Sequence, residues 1–157
     1  MIKVLFVCLG NICRSPLAEA VFNDLVAKKK LSDKISSDSA GTAAYHIGED
    51  PDERSVQVAR KHNVPINHKG RQLIHQDLVE FDYIIAMDRQ NLSGILVKGG
   101  VYKENVFLMR DFDELDRGGE VPDPYYGGID GFDEVYDILL RSCDNWLDFI
   151  IKKHTLK

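Results

Sequence analysis

Cysteine is scarce in this sequence, and its number argues against a fold held together by disulfides. Only three cysteines occur among the 157 residues, and an odd number cannot be fully paired within one chain. Cys8 and Cys13 lie near the start, and Cys143 lies in the last segment. This usage is typical of proteins from reducing compartments, so we expect a cytoplasmic protein with free thiols.

The sequence also lacks a long hydrophobic run and an excess of positive charge. The first apolar stretch stops at Leu9, well short of the ~20 residues of a membrane span, and no small-residue cleavage site of a signal peptide follows it. The formal net charge is −5, whereas proteins that bind nucleic acids or membrane surfaces are normally basic. We therefore expect no nucleic-acid partner and no membrane partner.

The sequence contains enough apolar residues for one hydrophobic core, and strand patterns alternate regularly with helix patterns. The hydrophobic content is 44%, which fits a single domain over residues 1–157. Apolar segments predict four strands, at 2–7, 35–39, 81–87 and 105–109. Helical patterns lie between and after them, with Ser15, Asp50 and Asp88 as expected N-caps. The alternation predicts an α/β fold, with a four-stranded parallel sheet and helices on both faces.

The segment after the first strand predicts an anion-binding loop that contains a nucleophile. The apolar run ends at Cys8, five residues separate it from Arg14, and Ser15-Pro16 suits the start of a helix. A helix N-terminus offers unpaired N–H groups and partial positive charge, and Gly10 lets the backbone curl closely. Arg14 adds a charged fork for two oxygens of a tetrahedral anion. The same field favours the thiolate of Cys8, which is the nucleophilic form.

Other interpretations of this loop fit less well. A nucleotide-binding loop would need Gly-Lys-Ser/Thr at its end, and the lysine is absent. A metal site would need more than Cys8 and Cys13 at this spacing, so we expect no metal and no other cofactor. The interpretation as a buried structural thiol fits Cys143, which lies on an apolar helical stripe.

Two motifs resemble those of the low-molecular-weight protein tyrosine phosphatases. The first is Val-Cys-Leu-Gly-Asn-Ile-Cys-Arg-Ser-Pro at 7–16, and the second is Asp-Pro-Tyr-Tyr-Gly at 123–127. Further landmarks lie between them, at 38–41, 81–84 and 87–88, so the resemblance spans nearly the whole chain. It implies an enzyme that hydrolyses phosphotyrosine in a protein, or a small aryl phosphate, through a cysteinyl-phosphate and without a metal.

The resemblance implies three catalytic residues at the matched positions. Cys8 would attack phosphorus, Arg14 would hold the equatorial oxygens together with the loop amides, and Asp123 would protonate the leaving phenol oxygen. Prolines on both sides of Asp123 independently suggest a stiffened backbone that holds the carboxylate in place.

Supporting residues are also expected around the nucleophile. The other phosphate-loop positions are Leu9, Gly10, Asn11, Ile12, Cys13 and Ser15. By resemblance, Ser15 would stabilise the thiolate, Asn11 would fix the loop shape, and His68 would support the loop from behind. Tyr45, Tyr125 and Tyr126 are candidate walls of a slot deep enough to favour phosphotyrosine over the shorter phosphoserine.

Three alternative functions stay open on this sequence. Related protein-arginine phosphatases typically carry threonine where this loop has Ile12, which favours phosphotyrosine over phosphoarginine. An arsenate reductase usually needs resolving cysteines in a mobile segment, and residues 81–100 contain none. A non-enzymatic phosphotyrosine-binding module would lose the acid or the nucleophile, and this chain keeps both.

Regulation is suggested by the second cysteine of the loop. By family precedent, Cys13 is a candidate for a reversible disulfide that protects oxidised Cys8, although a small residue that only fills the loop would also fit. The tyrosine pair at 125–126 could itself be phosphorylated, or could only pack the loop. Nothing in the sequence demands more than a monomer.

Overall fold

The computed structural model describes residues 1–99 and 104–156, and in them strands and helices alternate along the chain. The strands are β1 (Ile2–Cys8), β2 (Ile35–Gly41), β3 (Tyr83–Ala86) and β4 (Val106–Leu108). The helices are α1 (Arg14–Lys28), α2 (Glu53–Lys61), α3 (His75–Glu80), α4 (Arg89–Gly99) and α5 (Ile129–Lys153), with a 3-10 turn at Met109–Phe112.

The four strands form one parallel sheet in the order β2-β1-β3-β4, which confirms the predicted fold class. β1 is central, and residues 4–7 are completely buried because both faces of the sheet are covered. All four carboxyl ends lie at the same edge of a parallel sheet. The loop that follows β1 therefore begins where such folds bind their ligands.

Each face of the sheet has its own hydrophobic core, which confirms helices on both sides. One core joins β1 to α1 and α5, with Phe6 and Phe22 packed edge to face at 5.4 Å and Trp146 completely buried. The other joins the opposite face to α3 and α4 through Leu78 and Ile95. Within residues 1–99 and 104–156, no helix is long and apolar enough to cross a membrane.

Two of the three predicted N-caps are wrong. Helix α1 begins two residues early, at Arg14, so Ser15 lies in its first turn and its hydroxyl makes other contacts. Helix α2 is capped by Asp52, whose carboxylate accepts the N–H of Arg54, while Asp50 pairs with Lys69. The prediction for α4 is confirmed, because Asp88 Oδ1 accepts the N–H of Asn91 at 2.8 Å. Helix α3 was not predicted, since six residues are too few for a clear periodicity.

A buried carboxylate joins the segment after β4 to helix α5. Asp113 is completely buried and accepts hydrogen bonds from Arg141 Nε at 2.6 Å, Arg141 Nη2 at 3.0 Å and Arg110 Nε at 2.8 Å. Hydrogen bonds from Arg141, the Leu115 N–H and Arg110 lower the pKa of Asp113 to about 2, although burial opposes them. Arg110 also donates to the carbonyl of Glu120, so this ion cluster supports the chain that leads towards Asp123.

We expect Asp113→Asn to destabilise the fold by about 2 kcal/mol at neutral pH, because the folded pKa lies below the ordinary 3.8. A depressed pKa stabilises the fold above the unfolded-state value, and the contribution is lost as the pH falls through about 2. Urea unfolding across this range should therefore show the deficit of the variant shrinking with acid. Asp148→Asn, at an exposed position of α5, the helix that carries Arg141, is the control. Equal effects of the two substitutions would contradict the role assigned to Asp113.

Candidate active site

The loop between β1 and α1 forms the floor of a cavity at the carboxyl edge of the sheet. Cys8 is the last residue of β1 and only 3% exposed. Three segments line the cavity: the loop itself, residues 45–46 and residues 123–126. The lining residues are Cys8, Leu9, Gly10, Ile12, Cys13, Arg14, Tyr45, His46, Asp123, Tyr125 and Tyr126. The structure thus brings together the predicted catalytic residues and all three predicted wall tyrosines.

The backbone of the loop is oriented by bonds to its carbonyl groups. Leu9 O accepts the N–H of Ala43 at 3.0 Å, and Ile12 O accepts the N–H of Asp52 at 2.7 Å. In the described part of the chain, the N–H groups of residues 10–13 donate to no protein acceptor. These groups, together with the N-terminus of α1, form a positively polarised cradle suited to a tetrahedral anion.

Asn11 determines the shape of the loop. It is buried and adopts a left-handed conformation, with φ of 58°, which asparagine tolerates better than most residues. Its Nδ2 donates to Ser15 Oγ at 2.8 Å and to Ser39 Oγ at 3.0 Å. Its Oδ1 accepts from the N–H of Arg71 at 2.9 Å and from His68 Nε2 at 2.7 Å. His68 therefore lies behind the loop and outside the cavity lining.

The glycines at this edge permit close approach rather than an unusual backbone conformation. A Cβ on Gly10 would lie 3.0 Å from His46 Cδ2, and a Cβ on Gly41 would lie 2.8 Å from the carbonyl oxygen of Leu9. The tight bend expected near Gly10 therefore falls on Asn11, while Gly41 at the end of β2 allows the loop to pack against the sheet.

Ser15 contacts the nucleophile directly. Its Oγ lies 2.9 Å from Cys8 Sγ. Because Ser15 Oγ accepts a hydrogen bond from Asn11, its own hydrogen is available to the sulfur. A hydrogen bond donated to sulfur favours the thiolate over the thiol.

Arg14 is held at the cavity by a carboxylate that sequence reasoning assigned only to capping. Its Nη1 donates to Asp88 Oδ2 at 2.6 Å and to the carbonyl of Val121 at 3.0 Å. Burial acts against the charge, but Cys8, Asp88 and Asp123 outweigh it and raise the pKa of Arg14. The guanidinium therefore stays charged and can bind an anionic ligand that fits the cradle.

Asp123 lies at the rim of the cavity, on a segment far from Cys8 in the sequence. Its Oδ2 is 3.7 Å from Arg14 Nη2, and its Oδ1 accepts the N–H of Tyr125 at 3.1 Å. The side chain is 37% exposed, so it is accessible to both substrate and water. A carboxyl group in this place could donate a proton to an oxygen that leaves from the cradle.

Aromatic side chains line the cavity above the cradle, and one of them, His46, was not predicted from the sequence. The ring centroids of Tyr45 and Tyr125 lie 6.5 Å and 6.3 Å from the imidazole of His46. Tyr126 packs edge to face on Tyr125 and is 92% exposed. His46 follows Tyr45 directly, but no spacing in the sequence connects it to the loop. The walls suit a flat ring above a bound phosphoryl group.

The three cysteines are free thiols in different environments. Burial, then Asp52 and Cys8, raise the pKa of the Cys13 thiol, so it stays protonated at neutral pH. Burial likewise raises the pKa of Cys143, whose sulfur lies 3.7 Å from the carbonyl oxygen of Ala18 inside the core. The prediction of a structural Cys143 is confirmed by this complete burial.

One group among the described residues has the spacing of metal ligands, namely Glu19, Asp38 and His68. His68 Nδ1 lies 3.2 Å from Glu19 Oε1, and Asp38 Oδ2 accepts from Arg71 Nε at 3.0 Å. These side chains already contact one another, Asn11 and Arg71 behind the loop, so they add support to Asn11 rather than a second reaction centre.

Comparison with known proteins gives a consistent set of similarities. The sequence model of the low molecular weight phosphotyrosine protein phosphatase family matches residues 3–156. The low molecular weight protein-tyrosine-phosphatase YfkJ of Bacillus subtilis is 44% identical over 159 aligned positions, which cover 99% of this chain and 100% of that protein.

Solved structures show the same similarity in three dimensions. A protein tyrosine phosphatase from Entamoeba histolytica superposes with a TM-score of 0.94 at 41% identity, covering 98% of this chain and 99% of that one. An arginine phosphatase from Drosophila superposes with a TM-score of 0.83 at 36% identity, covering 95% of this chain and 98% of that one. The fold is therefore shared by proteins named for two different phosphorylated residues.

Proposed function

The chain belongs to the low molecular weight phosphotyrosine protein phosphatase family, and we propose that it hydrolyses phosphotyrosine with Cys8, Arg14 and Asp123 as catalytic residues. Membership makes it a cysteine-dependent hydrolase. One observation carries the residue assignment: Cys8, Arg14 and Asp123 line one cavity, whose floor offers the free N–H groups of residues 10–13.

The first step transfers the phosphoryl group to sulfur. The Cys8 thiolate attacks phosphorus while the bond from phosphorus to the phenol oxygen breaks, and its electron pair leaves with that oxygen. The carboxyl proton of Asp123 passes to this oxygen, so a neutral phenol departs. The loop N–H groups and Arg14 stabilise the negative charge on the equatorial oxygens.

The second step restores the enzyme. Asp123, now a carboxylate, takes a proton from water as the water oxygen attacks the cysteinyl-phosphate. The bond between sulfur and phosphorus breaks, and its electron pair returns to Cys8 as the thiolate that Ser15 stabilises. Inorganic phosphate then leaves the cradle.

Depth and lining favour phosphotyrosine as the substrate. The nucleophile is almost fully buried below Tyr45 and Tyr125, so a long aromatic side chain reaches it and a short phosphoserine does not. Ile12 lines the same cavity where protein-arginine phosphatases are expected to carry threonine. An apolar side chain there favours an aryl group over a guanidinium. The similarity in fold alone does not distinguish between these two substrates.

The remaining alternatives lack support in the described residues. Arsenate reduction would need a mobile resolving cysteine, whereas Cys143 is enclosed in the core and only Cys13 lies near the nucleophile. A non-enzymatic binding module would have no use for a nucleophile and an acid in one cavity. The substrate is thus proposed to be a phosphotyrosine-containing protein or a small aryl phosphate.

We further propose that the protein acts as a monomer in the cytoplasm. Every proposed catalytic side chain comes from the same chain, so no second copy is needed to complete the site. The nucleophile works only while Cys8 is not oxidised, and a reducing compartment preserves that state. Sedimentation at the assay concentration would reveal an obligatory dimer.

We expect Cys8→Ser to lower turnover of phosphotyrosine peptides by more than about 1000-fold, because an alcohol is a much weaker nucleophile than a thiolate. Cys143→Ala, with its change confined to the core, is the control and should retain turnover. The same assay with phosphoserine and phosphoarginine peptides, and with arsenate plus a thiol donor, ranks the alternatives. Near wild-type activity of Cys8→Ser, or a faster reaction with phosphoarginine or arsenate, would contradict the proposal.

Asp123→Asn should lower kcat/KM by about 100-fold for phenyl phosphate, whose leaving group is basic and needs a proton. The loss should be much smaller for p-nitrophenyl phosphate, because nitrophenolate departs readily as an anion. Asp130→Asn, an exposed carboxylate at the start of α5, serves as the control. The same loss for both substrates would argue that Asp123 is not the acid.

We also propose that Cys13 protects Cys8 from irreversible oxidation, because both side chains line the same cavity. Peroxide would oxidise the Cys8 thiolate to a sulfenic acid, and Cys13 sulfur would then displace water from it to form a disulfide. The Cys8 charge is one of the causes that raise the pKa of Cys13, and it disappears on oxidation. Burial and Asp52, the larger causes, remain after oxidation, so the Cys13 thiol is protected from peroxide itself while it lies in the same cavity as the oxidised Cys8.

Mild peroxide treatment followed by mass mapping should detect a bond between Cys8 and Cys13, and a thiol reductant should restore activity. In Cys13→Ser, the same treatment should convert Cys8 to sulfinic acid with permanent loss of activity. Sulfinic acid at Cys8 in the wild type, with no disulfide, would count against protection.

A further inference from the structure

The segment that carries Asp123 is held to the rest of the protein mainly by one side chain outside the cavity. Arg54, in the first turn of α2, donates from Nη1 to the carbonyl of Gly127 at 2.8 Å and from Nη2 to the carbonyl of Tyr125 at 2.9 Å. Apart from the carbonyl of Gly128, which accepts the N–H of Gly131 at 3.2 Å at the start of α5, residues 122–128 in the described structure have one other polar link to the remaining protein, the ion pair of Asp123 with Arg14.

Asp52 anchors Arg54 on the catalytic loop. The Asp52 carboxylate accepts from Arg54 Nε at 3.1 Å and Nη2 at 3.0 Å, which is the two-pronged geometry that a guanidinium favours. The same carboxylate accepts the backbone N–H of Arg54 at 2.9 Å, so it cannot move without uncapping α2. The backbone N–H of Asp52 donates to the carbonyl of Ile12 at 2.7 Å. A continuous chain of hydrogen bonds thus runs from the phosphate loop to the acid segment.

Two aromatic rings also pack near the guanidinium of Arg54 and restrict its movement. Its central carbon lies 4.5 Å from the ring centroid of Phe132, a completely buried residue in α5, and 5.8 Å from that of Tyr125. The Arg54 side chain is 30% exposed, so it forms a wedge at the surface between α2 and the acid segment. The guanidinium therefore combines four side-chain hydrogen bonds with two ring contacts.

The prolines beside Asp123 do not supply this constraint. Each fixes its own φ, which stiffens the segment, but neither sets the distance of the segment from Cys8. General acid catalysis needs the carboxyl group within hydrogen-bond reach of the leaving oxygen. A stiff segment that shifts as a unit would carry Asp123 out of reach.

We propose that Arg54 is a positioning residue that sets the distance between Asp123 and the oxygen leaving from phosphorus at Cys8. The proposal rests on the proposed role of Asp123 as the acid. Loss of the fork would release residues 123–127 from α2 while the cradle and the nucleophile stay intact. The damage should therefore fall on protonation of the leaving group and spare phosphate binding.

The test compares Arg54→Lys and Arg54→Gln with the same substitutions at Arg60, an exposed residue in the last turn of the same helix. Lysine keeps the charge, but its single nitrogen cannot reproduce the planar fork whose three nitrogens make four hydrogen bonds here. Glutamine removes the charge and gives a second, independent variant in case the lysine variant folds poorly. A displacement near 1 Å should lower kcat/KM for phenyl phosphate by about 30-fold. The value for p-nitrophenyl phosphate should fall less than about 3-fold.

Inhibition by inorganic phosphate distinguishes positioning from general damage. Its inhibition constant should stay within about 2-fold of wild type in both Arg54 variants, because the cradle does not use Arg54. Thermal unfolding of each variant confirms that the assayed protein is folded. A matching loss for both aryl phosphates, together with weaker phosphate binding, would overturn the proposal in favour of a merely structural role.

A double variant separates this inference from the function on which it rests. In the Asp123→Asn background, Arg54→Lys should add no further sensitivity to the leaving group, since the acid it positions is absent. Additive effects would overturn the role of Arg54 alone. Insensitivity of Asp123→Asn itself to the leaving group would instead remove the acid assignment, and the positioning role would fall with it.

Discussion

Holding unpaired backbone N–H groups around a buried sulfur is the constraint on which this structure depends. Such groups cost free energy when they are buried without acceptors, and a loop that offers several of them would relax unless its shape were imposed. Asn11 imposes it by accepting a left-handed backbone and joining the loop to α1, β2 and the segment at 68–71. The cradle is therefore built before any anion arrives.

Charge around the cradle is balanced in a second layer. A buried Arg14 would be unfavourable alone, and Asp88 compensates it while leaving the cavity side free for an anion. Behind the loop, Glu19 and Asp38 face His68, and Asp113 holds Arg110 and Arg141 further away. Within a protein of net charge −5, Arg14 and the N–H groups of residues 10–13 are thus the positively polarised groups of the cradle.

The proposed acid belongs to a different part of the chain because its requirements differ from those of the nucleophile. Cys8 needs burial and a rigid floor, whereas Asp123 in its proposed role must reach solvent to exchange protons and must let the phenol leave. A partly exposed segment satisfies the second need, but it has few contacts of its own. The contacts from Arg54 offset that weakness and couple the two halves of the site through Asp52.

Local patterns in the sequence were enough to predict the α/β fold, the thiol at a strand end, the arginine after the loop and the proposed acid between two prolines. These follow from short-range patterns: strand periodicity, the spacing of Cys8 and Arg14, and the resemblance of two motifs. Only the tertiary structure decided that Asp88 holds Arg14, that His46 joins the wall, and that Asp52 rather than Asp50 caps α2. The contacts of Asp88 and His46 connect residues tens of positions apart, and the Asp52 N–H likewise bonds to the distant carbonyl of Ile12. Aspartate and histidine occur at many surface positions, so residue type alone does not predict such contacts. Folding creates these contacts by bringing three separate segments to one edge of the parallel sheet.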